Sequence, residues 1–457
     1  MDARPITLFE WVRYPIREGS VPGFVDGILV VPTGFFDILD ECDPNSQIFS
    51  RTRKTLTPTR MVGVVRVGDV TIQILPKLFR NNLSQYRPVI ARNLGVMLSY
   101  TDLGISRTDL ASLDREDLDM LELFIRIFAE KLHTLLSRCQ HRQYLQKSKE
   151  LRYIKGRIDI LNYWNPAKLD RIPCRFKELT QDTPLNRIFK YCATLMSGHI
   201  HSDQTREHLR EIIRILDPVT LLPQTTSDAR LITLDRFAVQ FAPFLRFCEL
   251  YLSHSTVSLR ASRVEFFSLL IPMEKVFEMF IAGVLEENHH LLPSDSVILA
   301  QVPIGYLAQK QSGSEIFRLI PDIVVDHPRL PVIIDTKYKT RNVSDSKSGV
   351  QQSDMYQMFA YAAKRKVPAL MLLYPDCGEK IDADWEFLYE YDRSSALLIR
   401  SVSLTFDLAD PTQWDQWVRD FMGIIADLFQ AASRFSQPME SGVKPVLTDE
   451  VQIISLL

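Results

Sequence analysis

The chain has 457 residues, 46% of them hydrophobic and 24% charged, and its 54 Lys and Arg against 56 Asp and Glu leave a formal net charge of −2. That is a globular composition with ample core, long enough for two or three domains. It excludes an overall basic field, so any polyanion surface has to be local, and the lack of an 18-residue apolar run excludes a membrane-spanning helix.

The start, Met1-Asp2-Ala3-Arg4-Pro5, is followed by no long apolar core, so no signal peptide is expected and a cytoplasmic protein is. The six cysteines (Cys42, Cys139, Cys174, Cys192, Cys248, Cys377) are scattered without a C-x-x-C and read as buried thiols, with neither a disulfide framework nor a zinc site.

From residue 6 to about 80 the pattern predicts short antiparallel strands: Gly27-Ile28-Leu29-Val30-Val31, Met61 to Val67, and Val70 to Leu75. Gly68-Asp69 is a two-residue hairpin signal between the last two. Arg51-Thr52-Arg53-Lys54-Thr55 reads as a basic loop. From about 88 to 139 the period is helical, with Leu121, Phe124, Ile125, Phe128, Ala129 and Leu132 on one face of a helix starting near Asp117.

The most basic stretch follows. Seven Lys or Arg stand against the single acid Glu150 between Arg138 and Arg157. Lys168, Arg171, Arg175 and Lys177 continue it, interleaved with Tyr163, Trp164 and Phe176. A solvated face and a docking surface for nucleic acid or a partner protein both account for such a run.

Asp182-Thr183-Pro184-Leu185-Asn186 opens another helix, with Asp182 or Thr183 as cap and Pro184 in the first turn. Helical pattern then runs to about 253, and Ser262 to Pro272 reads as a strand and a domain boundary.

Beyond it the pattern is helix, three strands, helix, strand. The helix Met273 to His289 buries Val276, Phe277, Phe280, Ile281, Val284 and Leu285. Strands are expected from Val297 to Tyr306, Ile316 to Val325 and Val332 to Tyr338. A polar loop over 340–350 leads to a helix from Ser353 to Lys366 and an apolar central strand, Ala369 to Tyr374. This alternation predicts an α/β layer on a mixed sheet. The expected division is 1–265, a β-rich and helical part; 266–435, the α/β part; and 436–457, a peripheral tail.

The chemistry gathers around Asp335-Thr336-Lys337. Strand alternation sends Asp335 and Lys337 to one face and Thr336 to the other. Pro321-Asp322 opens the preceding strand, so Asp322, Asp335 and Lys337 can meet. Two carboxylates make a hard oxygen site of the kind Mg2+ prefers, and a lysine there can orient a water or hold a phosphate. Gln357 and Tyr361, four apart on the next helix, share a face and can reach a phosphate beside the metal. A further acid comes from the first helix, Glu278 or Glu274, of which the wheel sets Glu274 nearer the buried face. His199-x-His201 and His289-His290 lack zinc-ligand spacing, and neither a P-loop nor a G-x-S-x-G is present.

The order Glu278, Pro321-Asp322, Asp335-Thr336-Lys337, Gln357-x-x-x-Tyr361 resembles the PD-(D/E)xK nucleases, in particular their RecB-like branch. Gly63 to Lys77, Leu151 to Asp159, Asp182 to Arg187 and Met273 to Phe280 are similar to the McrC family, the nuclease subunits of McrBC modification-dependent restriction systems. The resemblance runs from about 60 to 375; extra residues in 201–262 and at the C-terminus depart from the shorter members.

It implies a restriction-endonuclease-like C-terminal sheet behind an N-terminal part that docks on a AAA+ GTPase hexamer, McrB-like, which reads modified cytosine in double-stranded DNA and alone uses GTP. It also implies that Asp322, Asp335 and Glu278 hold Mg2+ and that Lys337 positions the attacking water. The 138–177 region is then expected to face the partner. Two other classes stay open: a non-catalytic activator of the GTPase, and a stand-alone repair nuclease.

Overall fold

The computed structural model describes residues 5–68, 70–77, 83–101, 120–160, 171–198, 200, 202–253, 255–258, 263–339, 347–376, 382–388 and 394–435. Asp69, Tyr163, Trp164, Lys168, His199, His201, Cys377 and the 436–457 tail, singled out above, lie outside them.

In chain order the first elements are β1 (Ile6–Phe9), β2 (Tyr14–Glu18), β3 (Gly23–Val25), β4 (Ile28–Val31), α1 (Phe35–Cys42), β5 (Phe49–Arg51), β6 (Thr55–Pro58), β7 (Met61–Val67) and β8 (Val70–Leu75). They make two small sheets rather than one antiparallel run. One has the order β3-β4-β2-β6-β5. The other begins β1-β8-β7, with β1 parallel to β8. Leu29, Val31, Phe35, Leu56, Val65 and Ile72 pack between them.

Helices α2 (Leu83–Ser99) and α3 (Met120–Arg138) follow, then β9 (Gln143–Leu151), β10 (Arg157–Ile158) and β11 (Ile172–Thr180). The basic stretch is therefore a three-stranded antiparallel sheet, β10-β11-β9, with Tyr144, Tyr153 and Ile154 exposed among its cations. No apolar alternation marks β9, which buries neither face, whereas β11 turns Cys174 and Phe176 inward between Arg175 and Lys177.

Thr183 caps α4 (Pro184–Ser197) through its hydroxyl, with Pro184 in the first turn; Asp182 instead grips Arg187 and Thr220. After α5 (Asp203–Ile215), α6 (Thr226–Arg230) and α7 (Ala242–Ser253) come β12 (Ser255–Ser258) and β13 (Arg263–Pro272). β13 returns to pair with β7 and completes the first sheet as β1-β8-β7-β13-β12. It then runs directly into α8 (Met273–Glu287).

The last part comprises β14 (Val297–Ala300), β15 (Gly305–Gln309), β16 (Glu315–Leu319), β17 (Ile323–Asp326), β18 (Val332–Thr336), α9 (Gln352–Arg365), β19 (Ala369–Asp376), β20 (Ala383–Leu388), β21 (Ser394–Ser403) and α10 (Pro411–Phe435). Two expected strands are each split in two. Gln301 enters the left-handed region, at φ 53, after β14, and Pro321 brings no N–H to the ladder between β16 and β17. The sheet β14-β17-β18-β19-β21-β20 is mixed: β18, β19 and β21 run parallel and the rest antiparallel.

β19 is buried on both faces, as a central parallel strand requires. α9 covers one face through Met358, Tyr361 and Ala362. α8 and α10 cover the other in a core continuous with that of the helices before β13. The Arg92 guanidinium on α2 binds Asp407 at 2.6 Å, and Asn93 donates to the Leu404 and Phe406 carbonyls, so α2 is fastened to the segment that follows β21.

Cys174, Cys192 and Cys248 are buried as expected, but Cys139, just past the end of α3, is exposed. No described helix is long and apolar enough to cross a membrane.

Candidate active site

Antiparallel pairing sets Ile323 opposite Ile334, so continuing the register sets Asp322 opposite Asp335. Asp335 is 1% exposed at the end of β18. Its Oδ2 meets the Lys337 ammonium at 2.5 Å, while Oδ1 has no hydrogen-bond partner among the described residues. The shared face expected of Asp335 and Lys337 is the one α9 covers. Lys337 Nζ also donates to Gln357 Oε1 at 2.9 Å.

Thr336, sent to the other face by alternation, is not idle. Its backbone N–H and hydroxyl both donate to Asp322 Oδ2, at 2.7 and 2.8 Å, which fixes the Asp322 side chain. Period-2 reasoning misses this because Asp322 lies beyond its strand and reaches across.

Glu278, in the second turn of α8, is the helix acid that joins Asp322. Glu274 is exposed in the first turn, which corrects the expectation that it lies nearer the buried face. The Gln301 side chain connects the acids: Nε2 donates to Glu278 Oε1 at 2.5 Å and to Asp322 Oδ1 at 3.1 Å. Sequence spacing gives no signal for Gln301.

Gln357 and Tyr361, expected within reach of a phosphate, bond to groups of the protein itself. Gln357 Nε2 donates to the Tyr361 hydroxyl at 2.7 Å, and that buried hydroxyl donates to the Ile320 carbonyl at 2.8 Å. The relay ties Lys337 to the backbone just before Pro321-Asp322, so both residues position Lys337. Tyr361→Phe is expected to cost about 1–3 kcal/mol by unpairing the Ile320 carbonyl and freeing Gln357. Urea unfolding checks it.

Two more charges stand behind the lysine. Lys339 Nζ lies 3.1 Å from Asp354 Oδ2, at the start of α9. The D-x-K-x-K alternation through 339 was the available signal, but an acid in a first helical turn is commonplace. On the other side Glu10, at the end of β1, is buried and accepts from the Tyr338 hydroxyl at 2.7 Å and the Lys77 N–H at 3.0 Å. Burial pushes the Glu10 carboxyl up to about 7 against these hydrogen bonds, with Glu274 adding repulsion.

The electrostatics are those of crowded acids. Burial first, and the neighbouring Asp322 second, raise both Asp335 and Glu278 to about 7. Burial disfavours the Lys337 ammonium, but Asp335 and Asp322 outweigh it and hold its pKa above the ordinary lysine range.

A raised folded-state carboxyl stabilises below its unfolded pKa, and that stability is lost as pH rises through about 7. Glu278→Gln, which keeps an acceptor for Gln301, is therefore expected to raise the metal-free Tm by roughly 1–3 °C at pH 8 and by less toward pH 5. Thermal scans at the two pH values check this.

The acids that could hold a hard divalent cation, Asp335 with its orphaned Oδ1 and the half-buried Glu278 and Asp322, offer only oxygen donors. Among the described residues no group of three or more His, Cys, Asp or Glu is placed as it stands to hold a metal ion. The Gln301 amide lies between Glu278 and Asp322, and the Lys337 ammonium lies against Asp335.

The mixed α/β fold of several sheets has a solved counterpart. The fold is similar to that in a Thermococcus gammatolerans half-complex of McrB AAA+ hexamers with bound McrC, at TM-score 0.64 and 19% identity over 92% of this chain and 99% of that one. A second Thermococcus gammatolerans McrBC complex matches at TM-score 0.48 and 21% identity, over 62% of this chain and 88% of that one. No curated protein matches. The family model for the McrBC 5-methylcytosine restriction system component matches residues 56–375, and the chain belongs to that family.

Proposed function

We propose that the chain is the DNA-cutting subunit of a modification-dependent restriction system. In this reading it is a Mg2+-dependent endonuclease of the PD-(D/E)xK kind that works with a AAA+ GTPase hexamer and stimulates it. The buried Asp335 carboxylate, set opposite Asp322 and ion-paired with Lys337, carries the reading. Family membership and the fold shared with a solved McrB–McrC assembly support the choice of partner. The substrate is double-stranded DNA with modified cytosine, and GTP enters only through the partner, since this sequence has no P-loop.

Asp322, Asp335 and Glu278 would hold the metal, which when bound lowers the pKa of water and offsets charge on the phosphate. Thr336 fixes Asp322 by using Oδ2, so that Oδ1 faces Glu278 through Gln301. Lys337 stays protonated, and Gln357 and Tyr361 aim its N–H donors at the carboxylate edge, where they orient the attacking water.

The test is cleavage of methylated plasmid with Mg2+, with and without the AAA+ partner and GTP. Cutting that requires both is expected. Cutting without the partner would replace this reading with a stand-alone nuclease, and stimulated GTP hydrolysis without cutting would replace it with an activator.

The basic β9–β11 sheet is the partner-facing surface in this proposal. Arg157 is exposed there, whereas Arg175 is held by Asp159 at 2.7 Å. Arg157→Glu is therefore the cleaner charge reversal. It is expected to weaken partner stimulation roughly tenfold, since a like charge facing a complementary patch costs binding, with Tm unchanged. A GTPase titration checks it.

A further inference from the structure

We propose that Gln301 is a positioning residue whose amide stands in the cation's place, holding Glu278 and Asp322 together in the metal-free site until a divalent ion displaces it. The inference rests on the nuclease reading above and adds a residue to it.

Two carboxylates on facing elements repel unless something positive lies between them. Here that is the Gln301 Nε2 group, 2.5 Å from Glu278 Oε1 and 3.1 Å from Asp322 Oδ1. A cation shared by those two oxygens would need the same space.

The residue is held for this task by its backbone. Ala300 is the last β14 residue paired with β17, and the next N–H, that of Gln301, donates to the Asp322 carbonyl at 2.9 Å. At that point the chain takes φ 53, a left-handed conformation costly for a residue with a Cβ. That conformation and the backbone bond place the side chain beside Asp322.

Gln301 is also exposed, so its amide can swing into water and a cation can enter by the same route without disturbing the core. A neutral amide suits a removable brace. A lysine here would compete with the metal through a full charge, and an alanine would leave the acids facing each other.

The experiment is a Mn2+ titration of the full-length protein by calorimetry and EPR. It compares wild type, Gln301→Asn, Gln301→Ala, Asp335→Ala and the Gln301→Asn change in a Glu278→Gln background. Asparagine tolerates the left-handed backbone and carries its amide one methylene short of the carboxylates.

Gln301→Asn and Gln301→Ala are expected to bind Mn2+ roughly three- to tenfold tighter, because charge-assisted hydrogen bonds no longer have to be broken. Their metal-free Tm is expected to fall and their Mn2+-induced gain in Tm to grow. In the Glu278→Gln background the affinity gain is expected to shrink, since one bridged carboxylate is gone.

Equal or weaker Mn2+ binding by Gln301→Asn overturns the inference. If Asp335→Ala abolishes binding while Gln301→Asn leaves it unchanged, only the role of Gln301 falls. If the wild type binds no Mn2+, the metal-dependent reading falls and takes this inference with it.

Discussion

Asp335→Ala is expected to lower cleavage of methylated plasmid on the order of 10³-fold or more while the partner GTPase is still stimulated. Asp335 combines three properties: near-complete burial, a carboxylate oxygen with no hydrogen-bond partner among the described residues, and a place opposite Asp322. Removing it takes away a proposed metal ligand and also the counter-charge that keeps Lys337 protonated and aimed. The protein surface that would meet the GTPase is built from other elements, so the two activities should separate. Because the change leaves a half-buried ammonium short of its acid, Asp335→Asn is the companion variant: it preserves shape and loses the charge. Both should lose cutting. Retained cleavage in either, with Mn2+ binding intact, would remove Asp335 from the site.

Affinity for the divalent ion is expected to be roughly 10- to 100-fold weaker at pH 6 than at pH 8. The sign follows from the direction of the shifts. Burial and mutual repulsion raise Asp335 and Glu278 to about 7, so below that value the metal-free site carries protons that a cation must expel. Above it the carboxylates are already ionised and binding releases none. The lower end of the range corresponds to one proton shared by the coupled acids and the upper end to two. Glu278→Gln should flatten the dependence. Mn2+ titrations between pH 6 and 8 read this directly, and a flat profile in the wild type would exclude both acids from the ligand set.

How far the sequence foretold this arrangement can be argued from single residues. Asp335, Lys337 and Asp322 were readable because alternation and a Pro-Asp strand start are local rules, and the structure brings them together at one strand end. The apolar run Ala369 to Tyr374 of β19 was readable from local sequence too. What escaped depends on distant pairing. Gln301 matters only because its left-handed turn falls beside Asp322, and Thr336 only because Asp322 reaches over to it. The choice between Glu274 and Glu278 depended on how α8 sits against the sheet, which a helical wheel cannot supply. Strand β9 carries mostly exposed polar side chains, so no burial pattern announced it, and in β11 only Cys174 and Phe176 are buried, too short an alternation to stand out from the charges around it.

The strand order of the first sheet sets a timetable for synthesis. β7 is complete at Val67, yet one of its two neighbours in the sheet, β13, ends at Pro272. Until the ribosome has made that strand, the edge of β7 that β13 will cover stays open, and such an edge invites pairing with other nascent chains. Closing it spans about two hundred intervening residues, a contact of high sequence separation and hence slow to form. The next residues made are those of α8, so the strand that closes the sheet is followed at once in the chain by Glu278. A truncated translation product ending before β13 would therefore carry an unfinished sheet and none of Glu278, Asp322, Asp335 and Lys337, and quality control would meet an exposed strand edge rather than a chain carrying the proposed site.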